Sequence, residues 1–371
     1  KRCGACFTAA LTLICILPAW KVGALPRYSA RYEQNCLLCH VNPGGGGMRS
    51  AYATQDLVPK EIAMGSGRPE ALAALDAHLG KNVTFGTDLR ELFVLSSKDA
   101  PLGLTAPQGF FPMQGDVYLA VQLDPKWSLY FDHGLSNTYE FFGLAHVLPF
   151  AGYVKAGRFV PPYGWKFDDH TAYVRNDLGF APPLNTDGGV EVGFAPKFGD
   201  VQVSLVNGNR GSTLDNDRRL AVSGNLSARF KLGPLAASLG TAGYAHPGIA
   251  EDFNTAGLFG YLSSANVTWV GQADVTRRQP AQGSAASGLV TSHELTLLLR
   301  QGVELKGTYD FLDPDRHLKT GSRSRWGAGF MVLPRPFVAV EAAFRSTHVA
   351  PGRDLSGNDF REGIVQFHLL Y

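Results

Sequence analysis

Cys36, Cys39 and His40 stand in the spacing Cys-x-x-Cys-His within the stretch RYEQNCLLCHVNPGGGGMRSAY, Arg31 to Tyr52. Two thiols and an imidazole so arranged read as the attachment site of a c-type haem. The sulfurs would bond the porphyrin vinyl groups, and His40 would give the iron one axial nitrogen. Three of the five cysteines, Cys3, Cys6 and Cys15, lie in a segment built like a secretory signal, so export would leave only this pair. A structural zinc site wants four ligands rich in sulfur or histidine, and a redox disulfide of this spacing needs its own fold. The expectation is one covalently held haem c.

The other face of the iron is open at this stage. Met48, Met64 and His78 are the near alternatives, and a histidine reaching in from elsewhere in the chain could serve as well. A methionine raises the potential and a second histidine lowers it. Arg49 could pair with a haem propionate or lie exposed to solvent. The run GGGGMR invites a phosphate-loop reading, but it does not join a strand to a helix as that turn must. Its expected role is to let backbone pass close to the haem edge.

Other chemistries find little footing. No nucleophile and base share a catalytic spacing, so no catalytic residues are assigned and a hydrolytic reading is excluded. The formal charge is +2, and without the signal segment 31 bases face 32 acids. That balance suggests neither a nucleic-acid partner nor a polybasic membrane surface. Electron transfer, with iron oxidised or reduced at the cell surface, is the one redox role left open.

Three segments must position the motif. Residues 1–24 have a charged start, an apolar middle and a small-residue cleavage site, so a mature chain is expected from near Leu25. Residues 25–81 hold the haem motif and a helix expected from Arg68 to Gly80, with proline at its start and glycine at its end. A segment this small buries too little surface to enclose a haem alone. From 82 to 371 the sequence alternates with a period of two. In DVYLAVQLD, Val117, Leu119, Val121 and Leu123 alternate with Asp116, Tyr118, Ala120 and Gln122. In VELKGTYDF, Val303, Leu305, Tyr309 and Phe311 oppose Glu304, Lys306, Thr308 and Asp310.

Alternation alone also fits a soluble sandwich. Strand-like runs of 9 to 13 residues, short turns alternating with long loops, and a terminal strand FREGIVQFHLLY ending in an aromatic fit a membrane barrel better. The fold expected is all-β: a transmembrane antiparallel barrel of about sixteen strands, the first starting near Asn82, the second near Met113 and the last near Asp359. An even count puts both chain ends on the periplasmic side, and the haem segment there as well or inside the lumen. The longest connection, Gly157 to Asp187, is the third external loop by strand order. Its Asp168, Asp169, His170, Arg175 and Asp177 could form a metal-ion approach site, a lumen plug or a solvated loop.

An exported chain with one N-terminal Cys-x-x-Cys-His followed by such a barrel resembles the fused cytochrome-porins of the bacterial outer membrane. The resemblance is sequence-specific only over Arg31–Tyr52, where it implies attachment through Cys36 and Cys39 and ligation by His40. Iron-oxidising members carry proline-leucine-asparagine and phenylalanine-glycine-arginine runs after the motif, and VNPGGGGMRSAY keeps only Pro43 and Arg49 of that pattern. The resemblance implies an outer-membrane electron conduit. It would move single electrons between an extracellular metal ion or redox partner and a periplasmic cytochrome or other carrier, with outer-membrane lipid around it. The alternative is a solute-permeable porin whose haem segment is a periplasmic docking or sensing module. Oligomeric state is not written in the sequence.

Overall fold

The computed structural model describes residues 26–65, 77–97, 108–134, 139–180, 186–208, 218–318, 320–351 and 359–371. The expected signal segment and most of the expected helix from Arg68 to Gly80 lie outside these residues.

Sixteen antiparallel strands, β1 (Val83–Ser96) to β16 (Phe360–Leu370), form one closed barrel. Every strand pairs with its sequence neighbours. The ring closes where β1 meets β16, with Asp88 opposite Leu370 and Ser96 opposite Glu362. Closure leaves no edge strand and no unpaired row of backbone groups, which a bilayer demands. The first and last strands begin within a residue of where the alternation puts them. The second, β2 (Gln108–Gln122), begins five residues earlier than Met113. It carries Pro112, which normally ends a strand because it cannot donate to the ladder. Here the register shifts between Arg90 and Glu91 of β1, and the bulge at Met113 absorbs the proline.

The alternating faces are those expected. Val117, Leu226, Leu258 and Leu305 point outward and are exposed, while Tyr118, Glu304, Lys306 and Asp310 are buried inside the ring. A soluble sandwich would bury the apolar set, so the inversion marks a barrel with a lipid-facing outer wall. Connections at one end are tight, such as 233–234 between β8 (Ala221–Leu232) and β9 (Leu235–Pro247). At the other end they are mostly long. The longest, 160–186, joins β5 (Gly152–Phe159) to β6 (Asp187–Phe194).

Two segments fill the lumen. The N-terminal one carries α1 (Pro26–Tyr32), a 3-10 turn at Cys36–Leu38 and a wide π-type helix, α2 (Ala53–Ile62), with Pro59 inside it. The other is the third loop, with the single-turn helix α3 (Tyr173–Asn176).

Candidate cofactor site in the barrel lumen

The Cys-x-x-Cys-His motif is folded by its own backbone. The amides of Cys39 and His40 donate to the Cys36 carbonyl at 3.1 and 2.9 Å, which winds the motif into the 3-10 turn. The chain then returns antiparallel to itself. His40 bridges Arg49, Val41 N donates to Met48 O at 3.1 Å, and Ser50 N donates to Cys39 O at 2.8 Å. Gly45, Gly46 and Gly47 make the reversal with φ of 76°, 74° and 62°, a left-handed run that only glycine adopts without strain. A Cβ on Gly45 would sit 3.1 Å from Cys36 Sγ, so backbone does pass tightly by the first cysteine.

Barrel side chains hold this turn in the lumen from several directions. Arg27 Nη1 lies 3.0 Å from Glu294 Oε1, and Arg27 Nε lies 3.0 Å from Glu304 Oε2. Arg31 pairs with Glu304 as well. On the far side Met48 N donates to Tyr130 Oη at 3.0 Å and Lys166 Nζ donates to Gly45 O at 2.8 Å. α2 closes one end by packing Leu57, Val58 and Ile62 against Leu298, Met331, Leu333 and Ala339 of the wall. The hydroxyl of Ser50 accepts from Ala53 N, at the first residue of that helix, at 3.1 Å.

The third loop folds inward rather than out into solvent. Tyr163 Oη donates to Asp274 at 2.6 Å, and Trp165 N donates to Gln272 Oε1 at 2.7 Å. Asp168 pairs with Arg90 at 2.8 Å, and Asp169 pairs with Arg345 at 2.7 Å. Of the readings open for this loop, the lumen plug is the one the contacts match. Both aspartates are committed to arginines, and no group of three metal-ligating side chains occurs among the described residues.

Between the two segments lies a cavity of about 240 Å³. Cys36, Cys39 and His40 all line it, together with Arg49, Lys166, His170, Arg175 and His368. Burial pushes the Cys36 thiol up to about 11 and the Cys39 thiol to about 12, so both stay protonated at neutral pH. Burial, with the Arg49 and Lys166 charges, pushes His40 down to about 4 against the opposing pull of the Gly47 and Met48 carbonyls. Its imidazole is therefore neutral, and its Nδ1 is buried without a hydrogen-bond partner. Burial also drives His170 well below the usual histidine range, with Arg175 and Arg90 adding to the effect.

Three cations on the cavity wall have no carboxylate within ion-pair distance among the described residues: Arg49, Lys166 and Arg175. Lys166 reaches only a carbonyl, and Arg175 reaches only the Phe167 carbonyl. Burying uncompensated charge is costly unless a counter-ion joins it.

Met48, Met64 and His78 do not line this cavity. Met48 is fully buried in the apolar cluster with Tyr118 and Tyr130. Met64 packs against Gly302 in the turn at 301–302, its amide donating to Leu333 O at 2.8 Å. His78 forms an isolated bridge with Thr84 beside the start of β1. The histidines that do share the cavity, His170 and His368, come from far along the chain. Their only sequence signal is membership of an unusually long loop for the first and an inward-facing strand position for the second.

The geometry defines a closed, porin-like β-barrel of sixteen strands with an apolar outer wall and a filled lumen. No protein-family profile matches the sequence, and no curated protein matches it either. Solved structures do match in fold. The anion-selective porin of Comamonas acidovorans aligns with a TM-score of 0.58 at 14% identity, covering 78% of this chain and 99% of its own. OmpT of Vibrio cholerae aligns at 0.58 and 10% identity over 80% of this chain and 100% of its own. The outer-membrane channel DcaP of Acinetobacter baumannii aligns at 0.56 and 8% identity, over 78% and 97%. At such identities the likeness is one of fold.

Proposed function

We propose that this barrel is an outer-membrane electron conduit carrying one haem c, bonded through Cys36 and Cys39 and ligated by His40. The observation that carries the reading is that these three side chains line one lumenal cavity together with Arg49, Lys166 and Arg175, cations with no carboxylate partner among the described residues. The donor set fits the group. Two protonated thiols are available for thioether formation, a neutral imidazole is available for iron, and the cations would balance two propionates. Haem supplies reversible one-electron transfer when bound. The chain's own part is to hold the site inside the lumen. An apolar band about 25 Å tall is too wide for one efficient tunnelling step, and a site within it divides the distance between a periplasmic carrier and an extracellular metal ion or redox partner. Ferrous iron fits the donor role.

A second reading has its own support. The structural neighbours include an anion-selective porin and other channels, and unpaired lumenal cations would also suit permeating anions. In that case the chain is a solute-permeable porin and the N-terminal segment is a docking or sensing module. Two measurements separate the readings. Protein exported alongside haem-maturation machinery is expected to keep haem after denaturation and, in liposomes, to pass electrons from external ferrous iron to an enclosed acceptor. Absence of covalent haem together with steady conductance in planar bilayers would overturn the conduit and favour the porin.

A further inference from the structure

We propose that His170, in the third loop, is the second axial ligand of the iron, so that the two lumenal segments meet on one metal. The inference rests on the haem reading above and extends it to a residue outside the motif. Four observations lead to it. His170 lines the same cavity as Cys36, Cys39 and His40, whereas Met48, Met64 and His78 do not. The other histidine there, His368, has its Nε2, the ring nitrogen with the unhindered approach to a haem iron, 2.8 Å from Asp88 Oδ1, which leaves only Nδ1 beside its own Cβ. The His170 imidazole makes no hydrogen bond to any described residue.

The fourth observation is the backbone on either side, which is fixed. Arg90 Nη1 donates both to the Asp168 carboxylate at 2.8 Å and to its carbonyl at 3.2 Å. On the other side Asp169 Oδ1 accepts from Thr171 N and Oγ1 at 2.8 and 2.7 Å, and Arg325 Nη2 donates to Thr171 O at 2.9 Å. With the backbone clamped, ligation costs only the rotamer freedom of the ring, and no hydrogen bond has to break to free its nitrogens. The assignment gives the loop a role beyond plugging: it connects the cofactor to the end of the barrel that carries the long connections. It also predicts a potential lower than methionine ligation would give.

The test uses the full chain with haem attached, reading optical and electron paramagnetic resonance spectra of the ferric protein and carbon monoxide binding to the ferrous one. Wild type is expected to be low-spin, without the near-red charge-transfer band of methionine ligation, and closed to carbon monoxide. His170→Gly should turn high-spin and bind carbon monoxide, and added imidazole should restore the low-spin spectrum. His170→Met, closer to the original volume, should stay six-coordinate, gain the methionine band and rise in potential. Low-spin spectra surviving unchanged in both variants, or lost instead in His368→Ala or Met48→Ala, would overturn the assignment while leaving the haem reading intact. A wild-type chain with no covalent haem would overturn both.

Discussion

The N-terminal segment and the third loop enter the same lumen and are held there by different forces. The first docks largely through apolar packing, with Leu57, Val58, Ile62 and Ala63 against Leu298, Met331, Leu333 and Ala339, helped by the ion pairs of Arg27 and Arg31. The second is held mainly by charge and hydrogen bonds. Asp168 and Asp169 face Arg90, Arg325 and Arg345, Thr171 accepts from two of those arginines, and Asp310 and Ser292 accept the amides of Tyr173 and Val174. A packed segment can undock as a unit and leave an intact wall behind. A loop tied to at least five strands cannot leave without stranding the charges of the wall. The loop is therefore part of the barrel's own stability, whereas the N-terminal segment is closer to a seated insert.

Breaking the loop's anchor should have the largest effect. Asp169 is the sole carboxylate within ion-pair distance of Arg345 among the described residues, and the two side chains are about nine-tenths buried. Removing one member of such a pair costs about 3–5 kcal/mol, and water in the lumen places the expectation at the low end of that range. Asp169→Ala should lower the urea midpoint of the whole barrel, followed by loss of heat-modifiable migration on gels, and should raise conductance in planar bilayers as the loop swings free. An unchanged midpoint would mean that the loop is not structural.

Arg27→Ala provides the contrast. Glu294 loses its 3.0 Å partner, and Glu304 keeps Arg31. The cost should fall on docking, at about 2–3 kcal/mol for an unpaired buried carboxylate. Protease cutting within 26–65 should speed up by tens of fold while the barrel's urea midpoint barely moves. A shift of the global midpoint equal to that of Asp169→Ala would erase the distinction between the two segments.

The fold was legible because a lipid-facing barrel repeats one rule along the whole chain: Val117 out and Tyr118 in, Leu305 out and Lys306 in. Each strand restates it, so a misplaced boundary such as that of β2 at Pro112 leaves the count intact. The motif was legible because its three reactive residues fall within five positions. The rest of the cavity was not, because it is assembled by register between distant strands. Arg90 meets Asp168 and Lys166 meets Gly45 only after the barrel closes, and no local pattern records that. The loop's length hinted that it does something, but its inward course depends on Arg325 and Arg345, more than 150 residues further along.

The glycine reversal beside the motif yields the smallest effects and the finest distinction, because two neighbouring residues should respond differently. Gly46 and Gly47 both have left-handed φ, 74° and 62°, a conformation costing other residues roughly 1–2 kcal/mol. A Cβ on Gly46 would meet only Lys166, its Cδ at 3.6 Å and its Nζ at 3.9 Å, both ordinary contacts. A Cβ on Gly47 would collide with Tyr130 Oη, the group that accepts the Met48 amide. Gly46→Ala should therefore pay only the backbone cost, about 1 kcal/mol, and keep the turn seated. Gly47→Ala should pay that cost and also lose the hydrogen bond to the wall, about 1 kcal/mol more. Protease cutting within 26–65 would order them: wild type slowest, Gly46→Ala roughly fivefold faster, and Gly47→Ala faster again by a similar factor. Equal rates for the two variants would mean that backbone strain alone sets the stability of this turn and that the Tyr130 contact contributes nothing to seating it.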